Sequence, residues 1–260
     1  MHIQAIPMFA DNYAYLLVDE DSRDAAIIDP SQPSTVAPIL QSKIDANDIN
    51  LTVIINTHHH NDHAGGNDEL RAILGRPNLR IFGGVQCQAV DHTPENNETI
   101  FLGTNVQLTA LHTPCHTQDS ICWYVRDLTP GKAEQRAVFT GDTLFIGGCG
   151  RFFEGSAAEM HHALNEVLAA LPNDTRIYTG HEYTKINARF AQSIVKTPEI
   201  DALADFTEKN KVTQGCYTME EEKKHNVFMM VNHGQVMSTL GETEPVEVMK
   251  RLRSMKDKFR

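Results

Sequence analysis

The sequence predicts an α/β protein in which a strand-rich body, residues 1–180, is followed by a helical part, residues 181–260. Three observations carry this expectation. Short β-branched and apolar runs bounded by turn residues recur through the first part. One of them leads straight into a cluster of metal-ligand side chains. From about Thr184 the apolar residues change to helical spacing.

In chain order, Tyr13 to Val18 reads as a strand, the turn-rich Asp19-Glu20-Asp21-Ser22 follows, and Ala25 to Ile28 forms a second strand ending at Asp29-Pro30. Ser34 to Ile44 is expected to be helical, with Pro38 tolerated only in a first turn. Leu51 to Ile55 is a buried strand, and Asp68 to Leu74 a helix ended by Gly75. Further strands are expected over Leu79–Phe82, Val106–Leu111, Ile121–Val125, Ala137–Thr140 and Arg176–Tyr178. Ser156-Ala157-Ala158-Glu159 is a capping box opening a helix with the stripe Met160, Leu164, Val167, Leu168 and Leu171, stopped by Pro172. Its neighbours His161 and His162 are expected to be solvated. Thr197-Pro198 starts another helix, and the last begins near Glu244-Pro245 with Val248, Leu252, Met255 and Phe259 on one side.

At 260 residues the chain can build one large core, or a domain with a smaller appendage. Hydrophobic residues make up 41%, and no apolar run is long enough to cross a bilayer. Met1-His2-Ile3-Gln4 lacks the features of a signal peptide, so a cytoplasmic location is expected. The five cysteines, Cys87, Cys115, Cys122, Cys149 and Cys216, are odd in number and without C-x-x-C spacing, which argues for free thiols. Cys115 beside His116 suggests a nucleophile–base pair, but adjacent side chains on an extended segment point apart, which favours a buried small hydrophobe. A net charge of -11 argues against a nucleic-acid partner. A monomer without membrane or nucleic-acid partners is expected.

The chemistry centres on Thr57-His58-His59-His60-Asn61-Asp62-His63. In a nearly extended segment His58, His60 and Asp62 share a face, His59 points away, and His63 reaches inward if the chain starts to coil. Imidazole and carboxylate suit zinc, iron or manganese. The plain alternative is a polyhistidine surface loop, but such loops rarely follow a buried strand at this spacing. The pattern H-x-H-x-D-H resembles the signature of the metallo-β-lactamase superfamily. Other ligand types follow strand ends in the superfamily's order: His116 after Val106–Leu111, Asp142 after Ala137–Thr140, and His181 after Arg176–Tyr178. Seven ligands with one carboxylate shared serve two metals. His58, His60 and His116 would hold one, Asp62, His63 and His181 the other, and Asp142 would bridge.

A bridging aspartate resembles the superfamily branch that contains glyoxalase II, lactonases and phosphodiesterases. Gly148-Cys149-Gly150-Arg151-Phe152-Phe153-Glu154-Gly155, Gly180-His181-Glu182-Tyr183, and Glu242 through Asp257 are similar specifically to the glyoxalase II (hydroxyacylglutathione hydrolase) family, and the likeness runs essentially end to end. It implies an αββα metallo-β-lactamase sandwich over residues 1–180 and a C-terminal α-helical, glutathione-holding domain over 181–260. It also implies two divalent ions, zinc foremost with iron or manganese fitting. Arg151 and Phe153 match the family's glutathione-contacting loop, Tyr183 its tyrosine after the metal histidine, and Arg253 and Lys256 its basic pair on the last helix. Some members carry tyrosine where this chain has Phe153, so a hydroxyl contact is missing here. The basic pair also stands alone: three apart on a helix, the two share a face suited to carboxylates. Lys258 and Arg260 are assigned only to complementing the helix dipole.

The resemblance implies hydrolysis of S-D-lactoylglutathione to glutathione and D-lactate, the second step of methylglyoxal detoxification. A hydroxide held by the metals, with Asp62 and Asp142 among its supporting groups, would attack the thioester carbonyl. The rival from another reaction class is a mono-iron oxidoreductase similar to glutathione persulfide dioxygenases, against which the full ligand set and the basic C-terminal helix weigh. His2, His59, His92, His112, His225 and His233 are given no role and are expected at surface or satisfied core positions.

Overall fold

The computed structural model describes residues 1–259; Arg260, assigned above to the helix dipole, lies outside the described residues. The chain forms two compact units, Met1–His112 with Asp119–Gly141, and Thr113–Gln118 with everything from Asp142 onward.

The first unit holds two sheets. One runs β1 (His2–Met8), β2 (Asn12–Val18), β3 (Asp24–Ile28), β4 (Asn50–Ile55) and β5 (Arg80–Phe82) in that order. The first three strands are antiparallel neighbours, while β3, β4 and β5 pair in parallel. The β3–β4 crossover is α1 (Pro33–Asp45), and β4 and β5 are joined through α2 (Asn61–Ala64) and α3 (Asn67–Ile73). Every residue of β2 is buried because both of its faces are covered. Ala14 and Leu16 join Ile27, Ile54 and Ile81 in a core closed by Val36, Leu40 and Leu70 of the two helices. The opposite face meets the second sheet, where β6 (Thr99–Leu102), β7 (Val106–His112), β8 (Ile121–Asp127) and β9 (Gln135–Gly141) pair antiparallel. Tyr15 lies 5.2 Å from Phe139 between ring centroids, and the fully buried Trp123 donates its Nε1–H to Asn56 O at 3.0 Å.

Two strands of the first unit have no counterpart in the sequence reading, β1 and β6, and both are edges. Their outward residues are solvated and β1 contains Pro7, so neither carries the buried run that marks a central strand. Helix α1 differs from expectation in placing Pro38 in its interior rather than its first turn. Pro38 lies on the exposed face, where water can satisfy the Ser34 carbonyl left without an N–H, while Val36, Ala37 and Leu40 anchor the other face.

The second unit begins with the two-residue strands β10 (Leu144–Phe145) and β11 (Gly148–Cys149), an antiparallel pair. Next comes α4 (Ala157–His161), whose capping box forms as expected between Ser156 and Glu159. The chain then widens to a π-type turn over His162–Val167 and tightens to a 3-10 turn over Leu168–Ala170, keeping Met160, Leu164 and Leu168 fully buried. His162 is exposed, but His161 is mostly buried, contrary to the expectation of two solvated histidines. Successive helical side chains point about 100° apart, so a helix packed on one side cannot leave both in water. After β12 (Arg176–Thr179) come α5 (Thr184–Ile194), α6 (Pro198–Lys209), α7 (Met219–His225), α8 (Gly234–Leu240) and α9 (Pro245–Lys256). Thr197 caps α6 through Ile200 N–H at 3.2 Å, α5 packs on α6, and α9 packs on α4 and α8.

Candidate metal centre and adjoining pocket

In the first unit the ligand run starts at the C-terminal end of β4, where the chain leaves the sheet and coils into α2. His58 Nε2 and His60 Nδ1 stand 3.2 Å apart, and the His58 and His63 ring centroids are 4.2 Å apart. Two nitrogens bound to one tetrahedral zinc at about 2.0–2.1 Å are separated by about 3.3 Å, so this pair has ligand spacing. The Asp62 carboxylate is 3.8 Å from His63 Nε2 and accepts from Asn12 Nδ2 at 3.0 Å. His59 turns away, as expected, and its Nδ1 lies 2.8 Å from Asp119 Oδ1.

A buried carboxylate orients the histidines. Asp29 follows β3, which is parallel to β4, so the two strands end on the same rim and Asp29 reaches the ligand run. Its Oδ1 accepts from Thr57 N–H at 2.8 Å; its Oδ2 accepts from the Thr57 hydroxyl at 2.6 Å and lies 2.9 Å from His63 Nδ1. With its proton given to Asp29, the Thr57 hydroxyl accepts from His58 Nδ1, 3.0 Å away. Both rings thereby present an unprotonated Nε2, the form a metal ligand needs. Gly141, the last residue of β9, has φ +48, and a Cβ there would collide with the Thr57 side chain.

The second unit carries the other ligand types around one oxygen. Asp142 Oδ2 lies 3.4 Å from His116 Nε2 and 3.3 Å from His181 Nε2, so the two imidazoles converge on one carboxylate oxygen. His116 Nδ1 is 3.0 Å from the Arg151 carbonyl, which again leaves Nε2 as the nitrogen able to bind a metal. His181 stacks on Tyr183 at 4.8 Å with planes 7° apart, and Phe145 meets Tyr183 edge-on at 5.1 Å.

Beside this cluster is a cavity of about 410 Å³ lined by His116, Asp142, Phe145, Arg151, Phe153, Tyr183, Arg253 and Lys256, among others. All five residues that the sequence assigned to substrate contact line it. Arg253 is buried, donates through Nη1 to Cys149 O at 3.0 Å and pairs through Nη2 with Asp257 at 2.8 Å; its buried Nε has no partner among the described residues. Lys256 Nζ donates to Ile186 O at 3.1 Å and sits 5.3 Å from the Phe190 ring centroid. Burial, and then the Arg253 charge beside it, bring the Lys256 ammonium down to about 8. Phe153 is exposed, with its ring 5.2 Å from that of His116. Cys115 and Cys149 are unsuited to act as nucleophiles at neutral pH: burial pushes both thiols up to about 12.

Two family models together span almost all of the chain. The metallo-beta-lactamase superfamily matches residues 9–78 and 88–181, and the hydroxyacylglutathione hydrolase C-terminus matches 182–259. A probable hydroxyacylglutathione hydrolase, glo2, from Schizosaccharomyces pombe is 49% identical over 98% of both chains. The chain belongs to the hydroxyacylglutathione hydrolase family. The cytoplasmic hydroxyacylglutathione hydrolase of Arabidopsis thaliana is 38% identical over the whole of both chains. Among solved structures, ETHE1 from Myxococcus xanthus superposes with a TM-score of 0.65 at 26% identity, covering all of both chains. The fold is accordingly that of the metallo-β-lactamases, with a C-terminal helical region characteristic of hydroxyacylglutathione hydrolases.

For a hydroxyacylglutathione hydrolase family member the donor set fits metal. The His and Asp groups suited to an ion draw on the seven residues His58, His60, Asp62, His63, His116, Asp142 and His181. Asp29 and Thr57 were missed at the sequence level. The one available signal was the carboxylate closing the strand before the ligand strand, which reads as an ordinary Asp-Pro turn until the parallel pairing is known. The five cysteines are free, and all but Cys216 are buried.

Proposed function

We propose that this protein hydrolyses the thioester of S-2-hydroxyacylglutathiones, S-D-lactoylglutathione among them, to glutathione and a 2-hydroxy acid. The observation that carries this reading is a cationic pocket opening beside His116 and Asp142. One divalent ion would be held by His58, His60 and His116 and a second by Asp62, His63 and His181, with Asp142 shared. Zinc is favoured, and iron or manganese suits the same donors. Ions bound there supply Lewis acidity and lower the pKa of a water from ~15.7 to about 7.

The chain's own residues do the rest. Asp29, Thr57 and the Arg151 carbonyl hold the histidines in the ligating tautomer. Arg151, Arg253 and Lys256 offer charge to the two carboxylates of the glutathionyl group, while Tyr183 and Phe153 provide ring surface for its backbone and thioether. A thiolate leaves readily at neutral pH, so no strong general acid is required. The functional boundary is proposed at 180/181, with the C-terminal part supplying most of the substrate contacts. A cytoplasmic monomer is the proposed state, and no helix of the described residues is long and apolar enough to cross a membrane.

Purified protein should contain about two metals per chain and release glutathione from S-D-lactoylglutathione. One iron per chain, with oxygen uptake on glutathione persulfide and no thioesterase activity, would replace this reading with the oxidoreductase one. Fractionation that put the chain in an organelle, or a dimeric mass in solution, would correct the proposed state.

A further inference from the structure

The β10–β11 hairpin, Leu144 to Cys149, joins Asp142 on one side to Arg151 and Phe153 on the other, and its Phe145 and Cys149 line the cavity. Its ladder has only two residue pairs, too few to hold a shape in water. Helices grip it instead. Glu222 of α7 accepts the Gly147 N–H, with both carboxylate oxygens at 3.1 Å. Asn226, just past α7, donates to Gly148 O at 3.0 Å, and Asn187 of α5 donates to Ile146 O at 3.1 Å.

Glu222 is itself unusual: its side chain is 0% exposed, on a helix otherwise rich in solvated charge. Its oxygens are met by Asn226 Nδ2 at 2.9 Å and His225 Nε2 at 2.7 Å. A carboxylate so buried is costly unless every lone pair is used, and an apolar side chain could have filled the corner. What an apolar side chain could not do is hold a turn whose Gly147 has φ +68 and whose N–H faces inward.

We propose that Glu222, supported by His225 and Asn226, is a positioning residue for substrate binding. Through Gly147 it fixes the hairpin so that the Phe145 ring abuts Tyr183 and the Cys149 carbonyl aims Arg253. It touches neither substrate nor metal ligand; it sets the wall against which the glutathionyl group is read. The inference rests on the glutathione reading of the pocket.

The test uses the full chain with Glu222→Gln, Glu222→Ala and His225→Leu, measuring glutathione affinity by calorimetry, KM and kcat on S-D-lactoylglutathione, and hydrogen exchange at the Gly147 amide. Glu222→Gln keeps the shape and one acceptor, and should weaken glutathione about 3–10-fold and raise KM in parallel, with kcat within about 2-fold. Gly147 exchange should quicken. Glu222→Ala should lose more, and His225→Leu, which removes only a support of Glu222, should lose less but in the same pattern. Folded Glu222→Gln protein with wild-type glutathione affinity, KM and Gly147 exchange would overturn the proposal. So would a fall in kcat that merely tracks the folded fraction while KM stays put. A wild-type chain with no glutathione affinity at all would overturn the pocket reading and this inference with it.

Discussion

The two units hold their candidate ligand residues by different means. In the first, four candidate ligands come from His58 to His63, and order is imposed from behind by Asp29, one carboxylate taking the Thr57 N–H and hydroxyl and facing His63 Nδ1. In the second, His116, Asp142 and His181 arrive on separate segments and meet at a single carboxylate oxygen. Their surroundings are a thin hairpin gripped by helices rather than a sheet. The contrast teaches that a short motif can be oriented by one buried carboxylate behind it, whereas dispersed residues need a whole scaffold. The helix-braced cluster also lies beside a cavity lined by Arg151, Arg253 and Lys256.

That contrast can be broken experimentally. The largest effect should come from Asp142→Ala, because one atom serves both neighbouring histidines: kcat/KM should fall at least about 10³-fold and bound metal should drop, as read by steady-state kinetics and elemental analysis. A loss below tenfold would mean that the second unit's carboxylate is not shared. Next comes Asp29→Asn, which leaves every ligand in place but loosens the orientation of His58 and His63. Metal affinity should weaken about 10–100-fold in chelator competition, with kcat largely restored at saturating metal. Unchanged affinity would show that the first unit's order does not depend on its buried carboxylate.

The smallest effect sharpens the pocket's role. Lys256 is held down to about 8 by burial and by Arg253, so it is charged at pH 7 and mostly neutral at pH 9. If its ammonium binds a substrate carboxylate, KM should rise up to about tenfold across that interval, with kcat moving less. Lys256→Arg, which stays charged, should flatten the rise. A KM profile identical in Lys256→Arg and wild type would remove Lys256 from substrate recognition.

Much was legible because local chemistry carries its own label. The buried runs of β2, β3 and β4, the Ser156 capping box and the Thr197 cap are readable from neighbouring residues alone. So is the H-x-H-x-D-H run, since its facing pattern follows from extended geometry. The edge strands β1 and β6 were not, because solvated edges lack alternation that stands out from a loop. His161 was misjudged for the converse reason, since exposure on a helix depends on what packs against it.

Sequence by itself determined which atoms are available: seven candidate nitrogen and oxygen donors in superfamily order, a basic pair on the last helix, and thiols without a disulfide pattern. Tertiary structure alone decided which atoms answer them. Asp29 acquires its role because β3 and β4 run parallel and end on one rim, and Glu222 because α7 presses its carboxylate onto a turn 75 residues away. Ligand identity is a property of side-chain type, which the chain spells out directly. Orientation is a property of non-local hydrogen bonds, and those exist only once distant segments have been packed together.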